Sequence, residues 1–496
     1  MRQDIQTLRG IAIFLVFTFH LFPTLVVNGF LGVDIFFVIS GYLMAKNLTT
    51  HRITAVSDVF QFYYRRFKRI LPLYYLMIMI SVVLVHFYLV DSLWAINRKY
   101  SVASLFLATN QLVIHESQDY FKEFSSESTS KNVFLHMWSL SVEMQFYLLV
   151  PFIFFALQFM KSDVYKMITV SGITIGSLIP FLLITEQISF NFMPLRLWQF
   201  CAGFLAVYWE RLVQNNKGKD EKTDIFTNFK EDIAIICLVV ISLSLVPYKI
   251  NVGFLRPLVT FATALLIAVK SENNQILKCP SLIYLGNISY AVYLVHWPII
   301  SLFNGPMTSN YVFCAVTTLL SSILFHHLYE KSYLKMDKKL IVLLISLLIF
   351  GNAFLQYSTR NHKFWIRKLP IEVQETIDKN IEFFETRWMT HPFNDMCVTD
   401  NQLSIDPLIK ENVMGNCFMT NGTGKLKISV IGNSYSLNLG PGIHDALYRN
   451  YSEFRCLSAI GSTGLYAYDE KSRKVLDLQK KHVEVYKPDV LFIVSR

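Results

Sequence analysis

Long apolar runs separated by short charged segments extend from the N-terminus to about residue 357. Runs of about 17–20 apolar residues with charged flanks are typical of helices that cross a membrane. The stretch 100–114 is shorter and has polar flanks, which favours a re-entrant or surface segment. The pattern predicts eleven spans, at about 11–27, 30–47, 70–90, 134–158, 166–186, 195–212, 232–248, 253–269, 286–304, 309–328 and 339–357.

The pattern changes after about residue 357, where charged and turn-forming residues return. The segment "KLKISVIGNSYSLNLGPGIHDAL" predicts a strand, a tight turn and a helix that starts near Ser434, and residues 487–495 predict a second buried strand. Strands that alternate with helices indicate an α/β unit. We therefore predict a membrane domain at 1–357, a linker or subdomain at 358–424 and an α/β domain at 425–496.

Composition and charge agree with this division. Of the 496 residues, 53% are hydrophobic and only 17% are charged, which excludes an ordinary soluble protein of this size. The net charge of +10 is explained by lysine and arginine between alternate spans, the positive-inside pattern, so nucleic acid is not an expected partner. The pattern predicts a cytoplasmic N-terminus and a tail in the lumen, periplasm or extracellular space. The inner clusters are Arg65, Arg66, Lys68 and Arg69; Lys161 and Lys166; Lys217 and Lys219; Lys270 and Lys278; and Lys331, Lys335, Lys338 and Lys339.

Three of the seven cysteines, Cys397, Cys417 and Cys456, lie in the tail. A disulfide between two of them is expected if the tail faces an oxidising compartment. No CxxC spacing occurs, so no metal site is predicted.

Ionisable residues inside membrane spans are expensive and are functional candidates by default. His20 and His296 each lie about ten residues from the inner end of their predicted spans, or about 15 Å along a helix. Glu143 lies about nine residues from the outer end of its span, and Asp34 lies in the outer part of another. The positions of these residues within their predicted spans predict one polar site near the middle of the membrane.

Each candidate also has a structural interpretation. Arg65, Arg66 and Arg69 could be topology anchors, and His296 could be a satisfied core histidine. Glu143 could pair with His136, which itself could be a solvated histidine at the outer interface. Asp34 could accept backbone hydrogen bonds at a helix bend beside Gly32.

Arg9 and His20 are eleven positions apart, which is three helical turns plus roughly 20°, so both project from one face. Such a stripe can line a path from the inner side to the middle of the membrane. Arg9, Arg65, Arg66 and Arg69 make the inner mouth basic, which suits a phosphate-bearing ligand.

Six segments in a fixed order resemble the acyltransferase-3 family of integral-membrane O-acyltransferases. The resemblance covers about residues 1–357, and the segments are "LRGIAIFLVFTFH", "GFLGVDIFFVISGYL", "YYRRFKRILPLYY", "HMWSLSVEMQFYLLVP", "RLWQFCAGFLA" and "LGNISYAVYLVHWP". It implies transfer of an acyl group, usually acetyl, from cytoplasmic acyl-CoA to a hydroxyl of a carbohydrate, lipid or similar acceptor at the outer face.

The resemblance also implies roles for residues. His20 is the essential histidine and Arg9 its motif partner, whereas Gln199 stands where many relatives have Glu. His20 could be the general base or could carry the acyl group itself. A transporter or flippase would use similar intramembrane residues, and a membrane scaffold with vestigial motifs is a third class. The other motif positions are Asp34, Arg66, Arg69, Glu143, Arg196 and His296.

The tail resembles the first block of SGNH-type hydrolases, with Gly432-Asn433-Ser434 in place of Gly-Asp-Ser. Backbone N–H groups at the helix start could stabilise an oxyanion beside Ser434. Ser434 could equally be only a helix N-cap. The late Asp-x-x-His pair of that family does not follow in this sequence, and neither His444 nor His482 has the expected order. We therefore expect a truncated or degenerate domain without a complete triad.

Overall fold

The computed structural model describes two compact units, at residues 1–366 and 367–496. The described residues are 2–50, 53–89, 93–116, 131–216, 229–271, 274–303, 308–360, 370–373, 375–376, 378–379, 397–400, 402–410, 412–413, 415–419, 421–459, 467 and 470–495.

The regular secondary structure in the described ranges of the first unit is helical. Helix α13 continues through a π-helix at Phe325–Glu330 and a short α-helical segment at Lys331–Tyr333. The helices are α1 Gln3–Leu21, α2 Gly32–Thr50, α3 Val56–Tyr88, α4 Trp94–Leu105, α5 Thr109–His115, α6 Met137–Gln158, α7 Asp163–Leu183, α8 Glu186–Asn191, α9 Met193–Asn216, α10 Lys230–Ser242, α11 Val252–Val269, α12 Pro280–Phe303, α13 Thr308–Leu324 and α14 Lys338–Arg360.

Within the described ranges, eight helices are long and apolar enough to cross a membrane, so this unit is a multi-pass membrane domain. Three predicted spans correspond to α9, α10 and α12, which are not among the eight. Helix α10 has only 13 residues, and it ends in a 3₁₀ turn at Leu243–Leu245. The count of eleven therefore stays a prediction. The stretch 100–114 forms parts of the two short helices α4 and α5.

The first helix is displaced from its predicted position at 11–27. It begins at Gln3 and ends at Leu21, two residues before Pro23. Its polar start is accommodated because Arg2 bonds both Asp4 and Glu210. His20 therefore lies in the last turn of α1 rather than near the middle of a span.

Two glycines bring α1 and α12 into close parallel contact. A Cβ on Gly10 would lie 2.2 Å from the Leu282 carbonyl oxygen, and one on Gly286 would lie 1.9 Å from that of Gln6. Small residues permit such approach between membrane helices. This contact places the face of α1 that carries Arg9 and His20 directly against α12.

A second glycine pair joins α2 and α9. A Cβ on Gly41 would lie 2.0 Å from the Phe200 carbonyl oxygen, and one on Gly203 would lie 2.3 Å from that of Val38. The Phe37 and Phe200 rings stack with centroids 4.6 Å apart. The contact holds the start of α2 beside the start of α9.

The second unit contains a five-stranded sheet in the order β1-β2-β4-β3-β5. Strands β4, β3 and β5 are parallel, and β1 and β2 add an antiparallel edge. Strands β1 and β2 lie within the stretch predicted as a linker or subdomain. The elements are β1 Cys397–Thr399, β2 Cys417–Met419, β3 Lys427–Gly432, α15 Ser434–Ala446, β4 Glu453–Ser458, α16 Glu470–Tyr486 and β5 Val490–Val494.

The predictions for the tail are largely confirmed. The strand before Ser434, the helix that starts there and the strand near 487–495 are all present. Strand β5 is half-buried rather than buried, because Leu491 and Ile493 are 36% and 48% exposed. Cys397 and Cys417 form a disulfide, and the Cys456 thiol is buried.

Candidate functional site

A cavity of about 110 Å³ lies in the first unit between α1, α2, α3, α6 and α12. Polar groups come from all five helices. The polar lining residues are Arg9, Ser40, Arg66, Arg69, Ser139, Glu143, Tyr147, Ser289, Tyr290 and Tyr293.

Positive charge dominates this cavity. Among the described lining residues, Arg9, Arg66 and Arg69 contribute three guanidinium groups and Glu143 contributes one carboxylate. Arg9 is 8% exposed and its Nη2 donates to Ser289 Oγ on α12 at 2.9 Å. The predicted basic mouth thus includes these three arginines, whereas Arg65 is exposed and is not among the lining residues.

Glu143 is held by hydroxyl groups. Its Oε1 accepts short hydrogen bonds from Ser40 Oγ and Tyr147 Oη. The interpretation that Glu143 pairs with His136 is therefore wrong. His136 lies two turns earlier, about 10 Å along the same helix, which is too far for a direct bond.

The predicted histidines do meet, at the other end of the α1–α12 contact. His20 Nδ1 and His296 Nε2 are 2.8 Å apart, and both side chains are buried. The His136 ring is 5.8 Å from that of His296, and His136 is 1% exposed, so it is not a solvated surface histidine. Trp297 packs on His20 with ring centroids 5.0 Å apart.

Tyr293 connects the cavity with the histidines. It lines the cavity, hydrogen-bonds Ser139 and donates to the His136 carbonyl oxygen at 2.8 Å. Its ring is 5.6 Å from that of His296. His20 itself is not among the lining residues, so the predicted stripe is divided: Arg9 lines the cavity and His20 lies beyond Tyr293.

Asp34 belongs to a separate cluster. Its Oδ1 accepts from Arg196 Nη1 at 2.8 Å and from Gln199 Nε2 at 2.7 Å, and its Oδ2 accepts from Arg256 Nε at 3.1 Å. All four side chains are buried. The proposed backbone hydrogen bonds beside Gly32 are replaced by these contacts. Asp34 therefore lies in a cluster apart from the histidines, whereas Glu143 lines the cavity that Tyr293 connects to them.

Gln199 stands where many relatives have Glu, and its side-chain amide takes part in the Asp34 cluster. A glutamate there would add a second carboxylate beside Asp34, whereas the amide donates to Asp34 and accepts from Arg196 at 3.1 Å. The local charge pairing is therefore made by the two arginines.

Ser434 occupies the first turn of α15 in the second unit and is half-buried. The N-cap is Asn433, whose side chain accepts from the Tyr435 N–H, so the N-cap interpretation of Ser434 is wrong. A Cβ on Gly432 would lie 1.9 Å from the Val494 carbonyl oxygen, which explains the glycine before this turn.

The tail histidines bond elsewhere among the described residues. His444 Nε2 contacts Tyr451 Oη at 2.7 Å, and His482 Nε2 contacts Ser429 Oγ at 3.2 Å. Burial lowers the pKa of His482 to about 4 and raises that of the Cys456 thiol. Neither histidine forms a catalytic pair with Ser434 in the described part of the chain.

Several site residues were not predicted. Arg256 is an ionisable residue in an apolar span, a signal that should have marked it. Ser289, Tyr147 and Tyr293 carry hydroxyl groups, which are ordinary in membrane helices and give no such signal.

Comparison with known proteins places this arrangement in context. A family model described as an acyltransferase domain matches residues 2–327. A candidate peptidoglycan O-acetyltransferase of Bacillus subtilis, YrhL, is 30% identical over 346 residues, which are 65% of this chain and 53% of that protein. The O-acetyltransferase OatA of Staphylococcus aureus is 29% identical over 318 residues, 60% of this chain and 50% of the relative.

The peptidoglycan O-acetyltransferase OatA of Listeria monocytogenes is 29% identical over 312 residues, 60% of this chain and 49% of the relative. The chain thus spans about half the length of the curated relatives that it matches. No solved structure matches.

Proposed function

Because the chain belongs to the acyltransferase-3 family, we propose that it is a membrane O-acyltransferase. It moves an acyl group from acyl-CoA at the cytoplasmic face to a hydroxyl of an acceptor at the outer face. The observation that carries this proposal is the arginine-lined cavity, whose polar lining leads through Tyr293 to the His20–His296 pair.

The donor is proposed from the charge of the cavity. Arg66 and Arg69 lie on α3 and Arg9 on α1, and guanidinium groups are well suited to phosphate oxygens. The cavity of about 110 Å³ suits a small acyl group such as acetyl. The nucleotide phosphates would then lie at the arginines, and the thioester would extend towards Tyr293.

His20 is proposed as the general base. It takes the proton of the acceptor hydroxyl, whose oxygen then bonds the acyl carbon. The thioester C–S bond breaks, and the leaving thiolate receives the proton from His20. The products are an O-acyl ester and free CoA.

The acceptor is proposed to be a carbohydrate. Relatives in Bacillus subtilis and Listeria monocytogenes carry peptidoglycan in their names, which supports a cell-wall glycan hydroxyl over a lipid hydroxyl. The predicted orientation, with a cytoplasmic N-terminus and an outer tail, supports delivery to the outer face.

The tail is proposed to be an SGNH-like unit. Strand β3 lies between β4 and β5, so its two parallel neighbours are reached on opposite sides, and a switch point lies at the carboxyl end of β3. Ligands of open α/β sheets bind at such a point, and Ser434 lies there. The unit would present the acceptor or receive the acyl group.

Membranes that contain the protein, given radiolabelled acetyl-CoA and peptidoglycan fragments, test the proposal. We expect labelled glycan with the native chain and a loss of roughly 10²-fold or more with His20→Ala, at unchanged membrane insertion. Full activity of His20→Ala removes His20 from the mechanism. Uptake of substrate without acyl transfer would instead support a transporter. The absence of both uptake and acyl transfer would support a scaffold.

A further inference from the structure

The contact between His20 and His296 constrains where the protons of both rings lie. His296 is fully buried, its Nδ1 lies 3.0 Å from the Val292 carbonyl oxygen, and its Nε2 lies 2.8 Å from His20 Nδ1. Both nitrogens of His296 therefore face electrically neutral groups. A charged His296 would be buried without a counter-ion at either nitrogen, which is strongly unfavourable, so its ring is neutral.

The carbonyl decides the tautomer of His296. A carbonyl oxygen only accepts hydrogen bonds, so Nδ1 of His296 must carry the hydrogen. In a neutral imidazole the other nitrogen, Nε2, then holds a lone pair and accepts. The donor to this lone pair is His20 Nδ1, and Nε2 of His20 consequently holds the lone pair of that ring.

We propose that His296 is a positioning residue that fixes His20 in the tautomer that the reaction needs. This inference rests on the proposed acyl transfer, in which His20 Nε2 removes the acceptor proton. The hydroxyl O–H bond breaks as the new O–C bond forms, and His20 briefly carries both protons. Its Nδ1–H stays bonded to His296, and its Nε2–H passes to the thiolate that leaves when the C–S bond breaks.

The arrangement avoids a buried negative charge. A carboxylate could orient His20 in the same way, but an ionised carboxylate is expensive in the low-dielectric interior of a membrane protein. A neutral imidazole whose own proton is tied to a backbone carbonyl orients the base without that cost. Val292 and His296 are one helical turn apart on α12, so the helix backbone sets the orientation of both rings.

A pair of amide variants separates the two hydrogen bonds of His296. In His296→Gln the amide oxygen can reach the position of Nε2 and accept from His20. In His296→Asn the shorter side chain can replace only Nδ1, so it keeps the bond to Val292 and loses the bond to His20. We expect His296→Gln to retain kcat within about tenfold of the native chain and His296→Asn to lose roughly 10²-fold or more. The KM for acetyl-CoA should change little in both, because the arginines are untouched.

Thermal unfolding of both variants is the control, because each replaces one buried ring with an amide side chain. Equal kcat values for the Gln and Asn variants overturn the proposal, whether both are active or both are inactive. A rise in the KM for acetyl-CoA in either variant, without a fall in kcat, also overturns the proposal, since His296 would then act on donor binding. Failure of the proposed function is distinguishable, because the native chain itself would transfer no acetyl group.

Discussion

Two helix pairs in the membrane domain are joined by close glycine contacts, and both bury charged residues. The partners of those charged residues differ between the two pairs. Between α2 and α9, Asp34 is bonded by Arg196, Gln199 and, from α11, Arg256. Between α1 and α12, Arg9 has one hydroxyl partner, Ser289, and faces a cavity.

The difference separates a structural cluster from a candidate reaction site. The guanidinium of Arg256 also lies against the ring of Phe190, 5.1 Å from its centroid, and the side chains of the Asp34 cluster are buried. The cavity arginines instead outnumber the one carboxylate that lines the cavity with them. We therefore propose that the Asp34 cluster is structural and that the arginine-lined cavity belongs to the reaction site.

The largest expected effect comes from removing the centre of the structural cluster. Asp34→Ala leaves two buried guanidinium groups without their carboxylate, and breaking such a contact costs about 3–5 kcal/mol. Thermal unfolding in detergent should show a large fall in Tm, with reduced yield in the membrane. Arg65→Ala, which removes an exposed arginine, is the control and should keep its Tm. If Asp34→Ala keeps the native Tm but loses activity, Asp34 acts in the reaction and not in stability.

Widening the α1–α12 contact should mainly affect activity. Gly286→Ala places a Cβ where the Gln6 carbonyl oxygen lies 1.9 Å away, so the helices must separate. Displacement of the histidine pair by about 1 Å can cost about 10²-fold in kcat. Gly176→Ala is the control, because a Cβ there meets nothing within 4 Å. Similar activities of the two variants would contradict the role of this contact.

Neighbouring arginines on α3 provide a smaller test. Arg66 lines the cavity and Arg65 is exposed. Loss of a charge-assisted hydrogen bond of about 1.5–3 kcal/mol should raise the KM for acetyl-CoA roughly 10- to 100-fold in Arg66→Ala. Arg65→Ala should stay within about twofold. If Arg65→Ala raises KM as much, the phosphates bind at the surface and not at the cavity.

The second unit offers a buried histidine outside the membrane as a further comparison. His482 has a pKa of about 4, so the unfolded chain binds more protons than the folded one at mildly acidic pH. Stability is therefore complete above the unfolded pKa of about 6.5, and falls by about 1.5 kcal/mol between pH 6.5 and pH 5. Unfolding of the full chain followed against pH, with His482→Gln as control, checks this. An equal pH dependence in both proteins would exclude His482 as the cause.

The shared face of Arg9 and His20 could be predicted because helical periodicity is local. Both side chains contact α12, as the eleven-residue spacing implies. Strands β3 and β5 were predicted from equally local signals, whereas the disulfide was expected among the three tail cysteines without a specified pair. Depth in the membrane could not be predicted as well, because α1 ends at Leu21, two residues before Pro23, and His20 therefore lies in its last turn.

The division of the polar residues into separate sites depends on contacts between distant helices. Asp34 and Glu143 have similar sequence signals, and only the approach of α9 and α11 gives Asp34 its arginine partners. Glu143 faces α2 instead and meets Ser40. No pattern within either segment distinguishes these outcomes.

The α1–α12 contact also has a consequence for biosynthesis. His20 and His296 are 276 residues apart in the chain. At roughly 5–20 residues per second, a ribosome needs about 14–55 s between the two. During that interval the first helix is in the bilayer without its partner, and Arg9 and His20 have not met Ser289 and His296. If His20 acts as proposed, a nascent chain cannot transfer an acyl group until nearly all of its membrane domain has been translated.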